Sequence, residues 1–411
     1  MGGIERGPRL SLPGFINAHS HAFQRALRGR VERRSAEHAQ DDFWSWRTTM
    51  YADAARLSVN EVEALATWAY ADMLKAGFVA VGEFHYLHHD VDARPLPGNA
   101  LSLAHARAAA RVGIRLVLLE CAYARGGYER PLVEAQRRFV FPDARAFLAH
   151  VDAVRAAVPS EVRVGVAVHS VRAVPRPFIE EVAAYARRDS LVLHAHACEQ
   201  PREIEECQRE HGMSPVELLE RCGALGPRTT LVHGTHASAD DIRRLAATGT
   251  TVCVTPSTER NLGDGLGPVS ELMAAGVPVC IGTDSHARID VVDELRSLED
   301  HERLRQQRRG VLVRPGGSLH EAVMPAGTSA GRKSLGLAED LEDAVSVRMP
   351  LEGQASASAA LDAWLVGGSS ADVLDVAVAG LPVVRDGALL KVSDAEVREG
   401  ALAVLRRLQR P

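Results

Sequence analysis

Stretches of apolar, β-branched residues alternate with stretches of helical period along most of the chain. The first apolar stretch follows Pro13-Gly14 and runs Phe15-Ile16-Asn17-Ala18-His19-Ser20-His21, a strand that ends in two histidines. A helix is predicted from Ser58, because Ser58 and Glu61 have the spacing of a capping box. Val62, Leu65, Ala66, Ala69, Met73 and Leu74 keep its helical period, and Gly77 ends it. A second strand, Val79 to Tyr86, follows. The unit repeats. Further strand-like runs span 114–119, 162–169, 191–196, 230–233, 251–255 and 279–284, which makes eight. Helical patterns over 101–112, 144–158, 178–188, 201–222, 239–247 and 269–275 separate most of them. Near-continuous apolar strands that alternate with helices build a parallel sheet covered on both faces. Eight such units predict an α/β fold, a (β/α)8 barrel of the TIM type. A doubly wound sheet is the alternative, but it does not call for polar residues at so many strand ends.

The remaining segments are less regular. The polar, Arg-rich stretch after His21 reads as a long loop to about residue 42, and Phe43-Trp44-Ser45-Trp46-Arg47 continues it with aromatic anchors or pocket walls. Beyond the eighth strand a helix is predicted over 290–308, then loop and a further helix to 340. From about 341 the pattern changes. Ala363-Trp364-Leu365-Val366, 376–379 and 383–385 read as short antiparallel strands, the last two joined through Gly380-Leu381-Pro382. The expected organisation is a catalytic barrel over 13–340. A small β appendage from 1–12 and 341–392 and a C-terminal helix within 393–411 complete it.

Composition narrows the function classes. A net charge of −5 without a basic cluster excludes nucleic acid as an expected partner. No apolar run reaches the roughly 18 residues of a membrane span, so no membrane association is expected. Six cysteines, at 121, 198, 207, 222, 253 and 280, form no C-x-x-C pair and several lie in apolar runs. They read as buried, reduced thiols of a cytoplasmic protein.

The chemistry lies at the strand ends, where barrels of this kind carry their active sites. Successive strand residues point to opposite faces, so His19 and His21 share one face. Alone, such a pair is as well explained by chance. The other strand ends change that: His85 and Tyr86, His169 and Arg172, His194, His196 and Glu199, His233 and His236, then Asp284 and His286. Three histidines and one carboxylate suit zinc with an open water position, and His19, His21, His196 and Asp284 fit that set. Glu199 is placed to shuttle protons, His233 to face developing charge, and Asp284 to ligate and accept a proton.

This pattern resembles the amidohydrolase superfamily over about residues 10–310: H-x-H on strand one, His on strands five and six, Asp on strand eight. Val168-His169 stands where members with two lysine-bridged metals carry Lys, and His196-Ala197-Cys198-Glu199 resembles the one-zinc deaminase branch. Longer stretches resemble the formimidoylglutamate deiminase family. They include His19 to Ala26, Phe43 to Arg47, Met73 to Gly77, Glu83 to Asp90, His169 to Val174, Ser257 to Gly265 and Gly282 to His286. The resemblance implies one Zn2+ per chain on His19, His21, His196 and Asp284, with Glu199 and His233 in catalysis. It implies a substrate pocket of Gln24, Arg47, Tyr86, His169 and Arg172, and a cytoplasmic homodimer. The implied reaction is hydrolytic deimination of N-formimidoyl-L-glutamate to N-formyl-L-glutamate and ammonia in histidine degradation. Two carboxylates ask for two guanidinium forks, and Arg47 and Arg172 are the candidates. Another mononuclear-zinc deaminase acting on a purine or guanidine is the alternative; a barrel used as a non-catalytic scaffold has no need of Glu199 and His233. The chain departs from the family at both ends. Only 18 residues precede His19, and the C-terminal G-x-x-A-D-L signature is blurred around 366–376, so either a reduced β appendage or a start placed too late is expected.

Overall fold

The computed structural model describes residues 9–32, 43–128, 130–339, 342–349 and 356–410. Parts of the Arg-rich stretch (33–42) and of the expected appendage (1–8 and 350–355) lie outside them. Among the described residues, thirteen strands form two sheets. Strand β1 (Arg9–Pro13) belongs to the smaller one. The eight strands of the larger are β2 (Phe15–Ser20), β3 (Phe78–His85), β4 (Arg115–Ala122), β5 (Arg163–Ser170), β6 (Leu193–Ala197), β7 (Thr229–His233), β8 (Thr251–Val254) and β9 (Val279–Ile281). They pair in parallel in chain order, with helices between, and bear out the barrel. No helix among the described residues is long and apolar enough to cross a membrane.

The barrel closes where the last strand returns to the first. Asp284 N donates to His19 O at 3.1 Å, and His21 N donates to Asp284 O at 3.0 Å. Gly282 allows this approach, since a Cβ there would lie 2.8 Å from His19 Cβ and 2.9 Å from its backbone nitrogen. The strand residues of β2 and β3 are buried along their whole length, as a two-faced parallel sheet requires.

The smaller sheet is antiparallel, in the order β1, β10 (Ala344–Arg348), β11 (Val373–Val378), β12 (Leu381–Arg385) and β13 (Ala388–Leu389). The turn between β11 and β12 is Ala379-Gly380, with φ of +50° and +73°, the left-handed pair that a two-residue hairpin turn requires. The expected strand at Ala363–Val366 is instead the end of a helix, Ala357–Gly367. Ser356 caps it by accepting from Ala359 N, and Trp364 and Leu365 turn inward. Trp364 stacks on Phe15 at 6.1 Å, beneath the barrel. The expected loop at Phe43–Arg47 is likewise the first part of a helix, Phe43–Arg56.

Asp343 joins the two sheets. Its side chain is fully buried, 3.1 Å from Arg115 and 3.3 Å from Arg332, and it accepts from Ala379 N at 2.8 Å. Removing one member of a buried ion cluster leaves uncompensated charge, at a cost of about 3–5 kcal/mol. Asp343→Ala is therefore expected to lower unfolding stability by that amount in urea titration; an unshifted midpoint would show that the cluster does not tie the sheets together.

Candidate active site

Three imidazoles and one carboxylate converge inside the mouth of the barrel. His19 Nε2 lies 3.1 Å from His196 Nε2 and 3.2 Å from Asp284 Oδ1. His21 Nε2 lies 3.3 Å from His196 Nε2 and 3.4 Å from the same Asp284 oxygen. A tetrahedron with metal–ligand bonds of about 2.0–2.1 Å has edges of about 3.3 Å, so these four atoms fit one metal ion. The tautomers fit as well. His21 Nδ1 donates to Phe84 O at 2.9 Å and His196 Nδ1 donates to His169 O at 2.8 Å. Each proton is thereby held on Nδ1, and the Nε2 lone pair faces the centre. Burial, then the neighbouring imidazoles, hold His19 and His196 well below the ordinary histidine range. Burial lowers His21 too, with Asp284 opposing it. Neutral rings are what a metal requires.

Backbone strain gathers at the same strand ends. Cys198, His233, Asp284 and His286 all have positive φ, between +44° and +74°. Non-glycine residues hold that conformation only where the surroundings dictate it, as at functional sites.

Glu199 and His233 stand beside the centre. His233 Nε2 is 3.5 Å from Glu199 Oε1, and its Nδ1 is 3.1 Å from Thr255 Oγ1. Burial would lower the His233 pKa, but Glu199, Glu259 and Asp284 outweigh it and push it up to about 10. Burial raises that of Glu199 against the pull of His233, Arg172 and Arg47. A buried carboxyl of raised pKa is suited to taking and giving protons near neutrality.

All five expected pocket residues, Gln24, Arg47, Tyr86, His169 and Arg172, line one cavity with His21, His196, Glu199, His233 and Asp284. Gln24 donates to the Tyr86 hydroxyl at 2.9 Å. Arg47 and Arg172 each keep a buried Nη1 with no hydrogen-bond partner, and neither forms an ion pair among the described residues. Trp44 lies under both guanidinium groups, at 4.5 and 5.6 Å.

Other strand-end histidines lie elsewhere. His85 points away from the cavity, His194 contacts Ser334 O, His236 contacts Asp264 O, and His286 is held by Ser20 and Thr283. Sequence reasoning missed Met50 and Tyr51, which also line the cavity. The signal was present: Trp44, Arg47 and Tyr51 have helical spacing, and a helix over Phe43–Arg56 puts them on one side.

The model of the amidohydrolase family matches residues 10–342. The chain belongs to that family. It is 40% identical over 398 residues to a formimidoylglutamate deiminase of Pseudomonas aeruginosa, covering 94% of this chain and 87% of the relative. It is 28% identical over 333 residues to an 8-oxoguanine deaminase of the same organism, covering 79% of this chain and 71% of the relative. A crystal structure of an amidohydrolase from Brucella melitensis superposes with a TM-score of 0.91 at 35% identity, over 97% of this chain and 89% of that one. The protein is a hydrolase acting on C–N bonds, with a metal-binding histidine–aspartate centre.

His196→Ala removes the atom that touches both other imidazoles, so the centre should lose its ion. Elemental analysis is expected to find one metal equivalent fewer per chain than in the wild type. Unchanged metal content would place the ion elsewhere.

Proposed function

We propose that the protein hydrolyses the amidine of N-formimidoyl-L-glutamate, giving N-formyl-L-glutamate and ammonia, as a step of histidine degradation. The observation that carries this reading is the pair Arg47 and Arg172. Two guanidinium groups, each with a buried and unpartnered Nη1, face the cavity beside the histidine–aspartate centre. Such groups are costly to leave unpaired, and a dicarboxylate satisfies both. The relative at 40% identity agrees with this substrate. The relative at 28% acts on 8-oxoguanine, a purine, and a neutral base offers these cations nothing.

In this reading one zinc ion is held by His19, His21, His196 and Asp284. Zinc, when bound, lowers the pKa of a coordinated water toward about 7 and so supplies a nucleophile at neutral pH. Arg47 and Arg172 hold the two carboxylates, while Gln24, Tyr86 and His169 shape the pocket and orient the amidine. Glu199 moves a proton from the attacking water to the leaving nitrogen. His233, beside Glu199, faces the charge that develops on the substituent of the attacked carbon. Asp284 takes the second role given to it by its position, as a proton acceptor next to Glu199. One C–O bond forms, one C–N bond breaks, and ammonia leaves. The six described cysteines are free and buried, which agrees with a cytoplasmic enzyme, and a homodimer is the assembly we assign to it.

Ammonia release decides between substrates: formimidoylglutamate should be turned over, and guanine and adenosine should not. The opposite outcome would reject the assignment. Arg172→Met should lower kcat/KM for formimidoylglutamate by roughly 30-fold to several thousand-fold with its metal retained, because breaking a desolvated charge pair costs about 2–5 kcal/mol. Full efficiency in that variant would mean that the carboxylates are bound elsewhere. For Glu199→Gln, a loss of roughly 10²–10⁴ in kcat at unchanged metal content is expected. Near-normal turnover would remove it from the proton path.

A further inference from the structure

A second cluster of imidazoles lies on the outer side of the barrel wall. His85 on β3 and Glu120 on β4 are directly paired in register. Phe84 packs on His19 and His196 and Tyr86 lines the catalytic cavity, so His85, between them, faces outward. There it meets His88, which follows on the same connection, and Glu120. His85 is 3% exposed, His88 5% and Glu120 0%.

Three polar atoms in this cluster are buried without a hydrogen-bond partner: His85 Nε2, His88 Nδ1 and Glu120 Oε1. The other polar atoms of His88 and Glu120 are committed. His88 Nε2 is 2.9 Å from Cys121 O, and His150 Nε2 is 2.9 Å from Glu120 Oε2. A carbonyl oxygen only accepts, so the His88 proton sits on Nε2. Its Nδ1 lone pair then faces Glu120 Oε2 at 3.3 Å. Two acceptors at that distance with nothing between them repel. A cation between them turns the repulsion into attraction.

We propose that His85, His88 and Glu120 form a second, structural metal site for a divalent ion of the zinc class. One ligand atom from each lies within 4.8 Å of the others. Two imidazole nitrogens and one carboxylate oxygen are a zinc-type donor set, with a fourth position left for water. The surroundings are those of a metal ligand shell: a backbone carbonyl orients His88 and an imidazole orients Glu120. A cleft walled by His88, His89, Phe141, Ala146 and His150 opens beside the cluster and provides a path in. The site ties the end of β3 to β4. Tyr86 stands between two of the ligands in sequence, so the tie also fixes one wall of the catalytic cavity. The count becomes two ions per chain, one more than the family resemblance implies, and the inference does not depend on the substrate assignment.

The test is metal counting on the full chain after loading with excess zinc and desalting. Wild-type protein should hold two equivalents, and His88→Ala and Glu120→Gln should hold one each. His196→Ala should also hold one, at the outer site. Cobalt(II) added to His196→Ala should give the visible absorption of a low-coordinate nitrogen-and-oxygen site, and that band should vanish when His88→Ala is added. A wild type that never exceeds one equivalent overturns the proposal, and means that a proton on His88 occupies the gap. A His88→Ala protein that keeps the wild-type count overturns it too. If an outer-site variant fails to fold, His196→Ala decides alone: one retained equivalent supports the site and none rejects it. Failure of the catalytic centre would instead appear as an unchanged count in His196→Ala.

Discussion

Three imidazole nitrogens and a carboxylate oxygen, joined by four contacts of 3.1–3.4 Å, are the constraint on which the rest of the structure depends. Acceptors this close repel one another unless a cation lies between them, so the fold has to impose the arrangement. It does so through the strands. The period-two alternation of β2 and its short continuation brings His19 and His21 to one side, β6 supplies His196, and the backbone bridge from Asp284 to His19 and His21 seals the ring. Gly282 permits that bridge, and the positive φ of Asp284 aims its carboxylate inward. The strain is local and is carried by a barrel of eight parallel strands that are mostly buried.

The same alternation divides the end of β3 between two tasks. Phe84 and Tyr86 turn into the cavity, where Phe84 packs on His19 and His196 and Tyr86 accepts from Gln24. His85 turns outward to Glu120. One strand end thus contributes to two polar clusters separated by the thickness of the barrel wall. Each sets imidazoles against a carboxylate, with backbone carbonyls orienting His21 and His196 in the first and His88 in the second.

Much of this was legible in the sequence because it depends on short-range rules. Apolar β-branched runs separated by helical periods gave the strand count, and the H-x-H spacing placed both histidines on one face. The parity of adjacent residues was equally legible but not applied, since His85 and Tyr86 cannot both face one pocket. Two helices were harder. Ala363-Trp364-Leu365-Val366 is a four-residue apolar run, too short to separate strand from helix by itself. Leu361, Trp364 and Leu365, with Ser356 as cap, carry the helical signal only over a wider window. The helix Phe43–Arg56 lacks a clean apolar stripe, because the side turned inward meets a polar cavity rather than the core. The Asp343 cluster had no sequence signal at all: Arg115, Arg332 and Asp343 meet only through the fold.

Electrostatics sets the last constraint. Arg47 and Arg172 oppose each other, and burial adds to the strain on both; together with repulsion from Arg172, it lowers the Arg47 pKa. For Arg172 burial acts in the same sense, but Glu203 and Glu199 prevail and keep its guanidinium charged. Trp44 lies against both cations and lends them the attraction of its ring face. None of these neighbours places a carboxylate within hydrogen-bond reach of the free Nη1 atoms. In the proposed function the anionic groups of the substrate supply the acceptors that these two Nη1 atoms lack. On that proposal a barrel that holds both cations in place turns their pairing into binding energy, beside a glutamate whose pKa burial raises. Because Arg47, Arg172, Glu199 and His233 line one cavity, the dianion of the proposed function would change the electrostatic setting of Glu199 and His233 together.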